Sequence, residues 1–535
     1  MGVEETKDTN DGVATQRSGE NEIPMTMHYL DGWRVHAVFA SLAAMMFMVT
    51  FEIPVVATSI VAITTDLGGA NESSWLLTSY LLGYVSIIVI SAKLSNMYGR
   101  RLLYASCVVI FLVASAACSA AQTINQLIVF RAFQGAGGGG AYSLGTVISA
   151  ELYPVPKFPV AAAQLSIAVS CGLLLGPIIG GVISSNTTWR WIFIIIVPVA
   201  AICLTSVLAG MPKDFPLQGQ VTHLGANHHP SEARSTLRRL DVLGAVLLLF
   251  STVALTAGFE EAGSLFPWKS AYVITLLVTA GVLNISLLAW EHHLTNVDGV
   301  MEPILPSRFF SNRFVSAILF TFFFLGGPFV IAVYQLPQKF QLVNGLSGLD
   351  AGIRLIPFTL ASPLGTGFAA RVSGQFKIPP IWIILTGAIL QVIGFALLGT
   401  LPKATELLPR TYGFEIISGF GCGMNLALLF VIVPQVAEKR DRAVVMASAS
   451  QFRMVGSAVA AAIVNSVFNG YTKPRIASLG LSTVDPAPSS TGAEGDAVRL
   501  VYAGGYNLQF IVLAAFAAAQ IPAALLFWRR PQITV

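Results

Sequence analysis

Apolar residues along this chain gather into runs of about 20, the length that carries a helix rising 1.5 Å per residue across a hydrocarbon core. The runs fall at 36–61, 73–92, 102–122, 124–148, 160–183, 191–209, 240–258, 271–291, 313–336, 350–370, 379–400, 411–433, 444–468 and 506–528. They lack the period-2 alternation of barrel strands. In lipid a spanning backbone must satisfy its own hydrogen bonds, which leaves helices. The pattern therefore predicts an all-α polytopic membrane protein of about fourteen transmembrane helices. Longer polar stretches lie at 1–32, 211–239, 292–312 and 469–505. The last contains Pro486, Pro488, Ser489, Ser490 and Gly492 and reads as a loop.

Composition supports the pattern and removes several function classes. Of 535 residues, 54% are hydrophobic and 11% charged, against about 25% charged in soluble proteins, so lipid covers most of the surface. The net charge of +4 is dispersed and gives no footprint for nucleic acid. Cys107, Cys118, Cys171, Cys203 and Cys422 all fall inside predicted spans without CxxC spacing, so neither disulfides nor a zinc site is expected. The histidines lie in tails, in loops or, for His36, at a span edge, and mark no metal site. Gly135, Gly137 and Gly140 spell GxGxxG, but inside a predicted span, where close helix packing explains them better than a dinucleotide. No P-loop is present, so ATP-driven transport is not indicated. No cofactor is expected, nor enzymatic activity. The first 32 residues carry no apolar core of a cleavable leader, and the first span is expected to direct membrane insertion.

Lysine and arginine set the expected orientation. With the N-terminus in the cytoplasm, about 20 of the 31 fall on the cytoplasmic side, about 9 outside, and Arg131 and Arg453 within spans. Both termini are thus expected to be cytoplasmic. Candidate glycosylation sequons at Asn71 and Asn186 then fall in outside loops.

Several motifs carry a family likeness. Ala92-Lys93-Leu94-Ser95-Asn96-Met97-Tyr98-Gly99-Arg100-Arg101 between spans 2 and 3 resembles the loop motif of the major facilitator superfamily, with an echo at Arg371 and Gly374. Leu127-x-x-x-Arg131-x-x-Gln134-Gly135-x-Gly137 in span 4 is similar to its arginine motif. Gly172-x-x-x-Gly176-Pro177-x-x-Gly180-Gly181 in span 5 is similar to its antiporter signature. With Trp189-Arg190-Trp191, Leu240-Asp241-x-x-Gly244 and the 301–306 stretch, the chain resembles the fourteen-span drug:proton antiporters of fungi, toxin and multidrug efflux carriers. The resemblance implies two six-helix bundles, 36–209 and 313–528, with two additional spans at 240–291. The polar stretches and the orientation give the remaining expected parts: a disordered cytoplasmic tail at 1–35, cytoplasmic loops at 210–239 and 292–312, a long outside loop at 469–505 and a short cytoplasmic tail at 529–535. Substrate would bind near the midplane between the bundles, which rock to alternate access.

The residues themselves point to a coupling site. Charges inside a membrane are costly, and Glu52, Arg131, Glu415 and Arg453 are those predicted well within spans. Glu52 and Arg131 both fall in the outer half of the core and could meet. Burial favours the neutral acid, whereas a nearby cation favours the carboxylate. Glu52 is thus either a switchable proton site with Arg131 or half of a permanent ion pair that fixes packing. Arg453, near the midplane, either attracts anionic or carbonyl-bearing substrates or pairs with span 12. Glu415, about four residues inside span 12, is expected to be partly solvated. The span 5 glycines and Pro177 either limit proton leak through a bend or serve packing alone. Tyr80, Tyr84, Gln134, Tyr142, Gln164, Gln335, Asn425, Gln451 and Arg453 are candidates for the substrate cavity, each set against plain helix packing. Asn96 stands where the family's loop motif carries aspartate, so the inward–outward balance is expected to differ from the family's.

The expected function is proton-coupled efflux of small amphipathic organic molecules, a fungal toxin, secondary metabolite or drug. The partners are substrate, protons and the lipid bilayer, and the working unit is a monomer. The expected location is the plasma membrane, with the vacuole second. A proton-coupled siderophore-iron importer and a non-transporting receptor or scaffold are the alternatives.

Overall fold

A computed structural model describes residues 30, 32–68, 75–154, 157–213, 215, 241–262, 266–296, 301, 303–438, 441–479, 493–530 and 532. Among them are fourteen helices of 20 residues or more. The first six are α1 Trp33–Leu67, α2 Trp75–Tyr98, α3 Arg100–Ala120, α4 Ile124–Leu152, α5 Phe158–Asn186 and α6 Arg190–Gly210. Two follow, α7 Val242–Glu261 and α8 Ala271–Asn296. The rest are α9 Arg313–Leu342, α10 Ile356–Gln375, α11 Pro380–Gly399, α12 Arg410–Val436, α13 Arg442–Ser478 and α14 Ala493–Leu525. Short helices Arg308–Ser311 and Gly348–Arg354 precede α9 and α10. Asn71 and the loops around 216–240 and 480–492 lie outside the described residues.

Twelve of the fourteen are long and apolar enough to cross a membrane. The exceptions, α4 and α10, are diluted by glycines, hydroxyls and, in α4, Arg131. A helix can afford that polarity when its polar face is turned onto protein, and α4 buries the whole segment from Gly137 to Ser149. The count of about fourteen spans is therefore compatible with the structure, with twelve carried by composition alone.

The helices pair in the same order twice. In the first half α1 packs on α5, α2 on α4, and α3 on α4 and α6. In the second, α9 packs on α13, α10 on α12, and α11 on α12 and α14. These are the two six-helix bundles. They meet along α5–α10 and α2–α13, while α7 lies against α2 and α13 and carries α8 on its far side.

Local chemistry sets the joints. Gly99 has φ of 92°, in the left-handed region that a side chain disfavours, and it alone separates α2 from α3. Thr123 caps α4 through its hydroxyl, and Asp241 caps α7, accepting from the Gly244 amide at 2.8 Å. Pro328 lacks an amide donor, and α9 widens there into a π-helical turn, Gly327–Ile331, before continuing to Leu342. α13 likewise runs to Ser478, ten residues past the predicted span end at 468.

Candidate functional site

The centre of the first bundle is a buried polar network, in which Glu52 Oε2 and Arg131 Nη2 are left without a hydrogen-bond partner among the described residues. Arg131 Nη1 donates to Glu52 Oε1 at 2.5 Å, and both side chains are 0% exposed. The same guanidinium donates to the Gln134 side-chain oxygen at 2.8 Å and, through Nε, to the Leu76 carbonyl at 3.0 Å. Gln134 in turn donates to Ser115 Oγ at 2.9 Å. Helices α1, α2, α3 and α4 are thus all tied to one cation. The Tyr80 ring lies 4.4 Å from Arg131 Cζ, a cation–π contact.

Small residues let the helices approach closely enough for this. A methyl group at Gly135 would strike the Tyr80 carbonyl, and one at Gly139 the Tyr84 carbonyl, so α4 lies almost backbone-on-backbone against α2. The span 5 motif does the same for α1: Gly172, Gly176 and Gly180 face the carbonyls of Phe47, Phe51 and Val55. The antiporter-like glycines therefore seat α1 at the level of Glu52. Pro177 and Gly181 line a cavity of about 640 Å³ with Pro54 and Thr58 of α1 and Tyr334 and Gln338 of α9.

From Arg131 an aromatic ladder crosses to the second bundle. Tyr80 stacks on Tyr84 with centroids 6.2 Å apart, and Tyr84 meets Tyr142 at 6.0 Å. The Tyr142 hydroxyl lies 3.5 Å from Arg453 Nη2 of α13, whose guanidinium also lies 5.8 Å from the Phe329 ring. Tyr84, Tyr142 and Arg453 share the wall of a small cavity with Thr50, Phe329 and Tyr334. Arg453 thus faces α4 and the π turn of α9.

The other candidates lie elsewhere. Gln164 is on an exposed face of α5. Asn425 donates to Gln520 at 2.8 Å inside the second bundle, and Gln451 donates to Thr252 of α7 at 2.8 Å. Gln335 is buried on α9. Glu415 departs from expectation, being fully buried rather than partly solvated, because α12 is packed between α10 and α11. Lys339 escaped the sequence reading because the run ending at 336 stopped short of it, whereas α9 carries it inside. In the loop motif, Arg100 makes a bidentate pair with Glu151 of α4, at 3.0 and 2.8 Å, and donates to Ser95. Arg101 donates to the Leu208 carbonyl of α6, Lys93 is buried and Asn96 is exposed. Asn186 closes α5 on an exposed turn.

Two six-helix bundles around an intramembrane charge network, with a cavity between them, define a polytopic membrane transporter. The family is settled by comparison: the model for the Major Facilitator Superfamily matches residues 40–461, and the chain belongs to that superfamily. It is 33% identical over 532 residues to the MFS-type transporter FPY5 of Fusarium mangiferae, covering 98% of this chain and 88% of that one. It is 27% identical to the efflux pump FUS6 of Gibberella moniliformis, covering 84% and 77%. In fold it matches a bacterial homologue of the human lysosomal transporter Spinster, inward-facing and unoccupied, with TM-score 0.57 at 15% identity, over 93% of this chain and 98% of that one.

Proposed function

We propose that this transporter exports small amphipathic organic molecules in exchange for protons, with Glu52 as the proton carrier and Arg131 as the group that senses its charge. The observation that carries the reading is the buried Glu52–Arg131 pair at 2.5 Å, joined by the tyrosine ladder to Arg453. Protonating Glu52 removes the anion that holds Arg131. The guanidinium is then left to the Leu76 carbonyl, Gln134 and the Tyr80 ring. Because Tyr80 and Tyr84 belong to α2, relaxation there reaches Tyr142 and the cavity wall. The apolar lining with few polar groups suits an amphipathic molecule, a toxin, secondary metabolite or drug. Relatives named as an efflux pump and as multidrug transporters support the direction of transport.

The lysine and arginine bias supports cytoplasmic termini, and the resemblance to toxin exporters supports the plasma membrane. The 640 Å³ cavity then opens toward the outside, where protons would enter and substrate would leave. Transport is tested in liposomes holding the purified full-length chain, with a panel of fluorescent amphipathic dyes and an imposed pH gradient. Gradient-driven dye uptake, lost with a protonophore and in Glu52→Gln, supports antiport. Dye flux indifferent to the gradient overturns it.

A further inference from the structure

The second bundle holds a buried acid–base pair of opposite polarity to the first. Its place follows from a repeat hidden by the charge change. Arg131-x-x-Gln134-Gly135-x-Gly137-x-Gly139 of α4 recurs in α12 as Glu415-x-x-Ser418-Gly419-x-Gly421-x-Gly423. The two ladders also pack alike. Gly135 and Gly139 sit on the carbonyls of Tyr80 and Tyr84 of α2; Gly419 and Gly423 sit on those of Phe358 and Ser362 of α10. Each pair of carbonyls is four residues apart, and α2–α4 corresponds to α10–α12 in the helix pairing. Glu415 therefore occupies in the second half the place of Arg131 in the first.

Its charged neighbour comes, as Glu52 does, from the first helix of its own half. Lys339 of α9 stands at the same level: it is buried and bonds Asn507, whose backbone meets Gly399 of α11 just beyond the Gly394 that packs on Ser418 of α12. The two halves differ in closure. Arg131 grips one oxygen of Glu52 and leaves the other unpartnered, whereas both carboxyl oxygens of the fully buried Glu415 have no hydrogen-bond donor among the described residues. Lys339 turns instead to Asn507 Oδ1 of α14, at 3.2 Å, and lies 5.2 Å from the Phe510 ring. Among the described residues, α5 and α11 carry no charge, Arg371 of α10 is exposed near that helix's end, Arg410 is exposed at the start of α12 itself, and Arg453 of α13 faces Tyr142. A bare carboxylate without donors is expensive in such a place, and a bound proton removes the expense.

We propose that Glu415 is a second proton-binding site, loaded when Lys339 turns to Asn507 and emptied when Lys339 swings back onto the carboxylate. The transporter would then carry one titratable acid per bundle. This goes beyond the Glu52 reading and stands or falls separately from it.

The experiment is infrared difference spectroscopy of the full-length protein in lipid nanodiscs, stepped between alkaline and acid buffer, in the carboxylic-acid C=O region. A band that appears on acidification in the natural chain and in Glu52→Gln, but is lost in Glu415→Gln, supports the site. Glu415→Asp, which keeps the carboxyl, retains the band at a shifted frequency, so loss through misfolding is separated from loss of the acid. Lys339→Met, which removes the competitor for the carboxylate, extends the band to more alkaline buffer. Identical difference spectra for the natural chain and Glu415→Gln overturn the proposal, whatever the fate of the Glu52 band.

Discussion

Arg131 offers the most direct perturbation of the central network. Arg131→Met keeps length and apolar bulk but deletes the bond to Glu52, the bond to the Leu76 carbonyl, the bond to Gln134 and the contact with Tyr80. It leaves Glu52 as a carboxylate with 0% exposure and no cation. Removing one partner of a buried pair costs about 3–5 kcal/mol, mostly from stranding the other charge. Glu52→Gln strands the guanidinium instead and should cost a comparable amount. Glu52→Gln with Arg131→Met removes both charges, so the double variant should recover about 2–3 kcal/mol relative to the sum of the singles. The assay is thermal unfolding of the three variants in one detergent, followed by tryptophan fluorescence and monodispersity. Because neither partner meets solvent, added salt should leave the coupling unchanged. In Arg131→Met alone, acid buffer should lessen the defect, since a proton on Glu52 cancels the stranded charge. Additive single effects, or a coupling that salt erases, would refute the picture of a buried, desolvated pair.

Two further outcomes follow from the packing. Gly139→Ala drives a methyl group into the Tyr84 carbonyl and should destabilise by about 1–3 kcal/mol, whereas Gly181→Ala, which meets nothing within 4 Å, should melt like the natural chain. Equal melting of the two would show that the α2–α4 seam is looser than described. Arg453→Ala should weaken transport of an anionic fluorescent dye by roughly 5–30-fold through KM, the scale of a lost cation contact of about 1–2 kcal/mol, with Arg453→Lys intermediate. An unchanged KM would remove Arg453 from the cavity's recognition surface.

Much of this architecture could be read from the chain because lipid imposes few choices on it. Run length marked the helices, and the arginine and glycine motifs marked α4 and α5. Counting residues along two helices put Glu52 and Arg131 in the same half of the membrane, where they could meet; the structure shows the contact. What could not be read depended on which face of a helix turns inward. Gln164 and Tyr142 looked alike as polar cavity candidates, yet one faces outward and the other meets Arg453. Lys339 was hidden by a span boundary drawn at 336, six residues short of the helix end at Leu342, since Gln338 and Lys339 itself lower the local hydropathy although α9 continues through them. The α4–α12 repeat was masked because the residue that anchors it changes from arginine to glutamate, and the likeness resides in glycines whose purpose shows only where they touch carbonyls.

The two added helices also acquire a definite mechanical role. α7 touches both bundles, and side-chain hydrogen bonds fasten the hairpin to α13. Gln451 of α13 donates to Thr252, and Trp268, in the connection to α8, donates to Ser466 of α13 at 2.5 Å. Those two α13 positions are 15 residues apart, about 22 Å along a helix, so the hairpin is fastened along much of α13. At its other end, Glu291 of α8 accepts from the Ile304 and Leu305 amides at 3.1 and 3.0 Å, and Arg308 just beyond forms a bidentate pair with Asp441 at the start of α13. All of these ties lead to the second bundle. The hairpin should therefore travel with that bundle and slide against α2. Disulfides test this in a background lacking the native cysteines. The hydroxyls of Ser166 on α5 and Thr366 on α10 lie 3.4 Å apart across the two bundles, close enough for a bridge by paired cysteines. Ser166→Cys with Thr366→Cys should stop dye transport on oxidation and recover with reductant. Thr252→Cys with Gln451→Cys, joining parts that move together, should transport equally well oxidised or reduced. Inhibition by the second bridge would mean that α7 and α13 separate during the cycle, and the hairpin would then belong with α2.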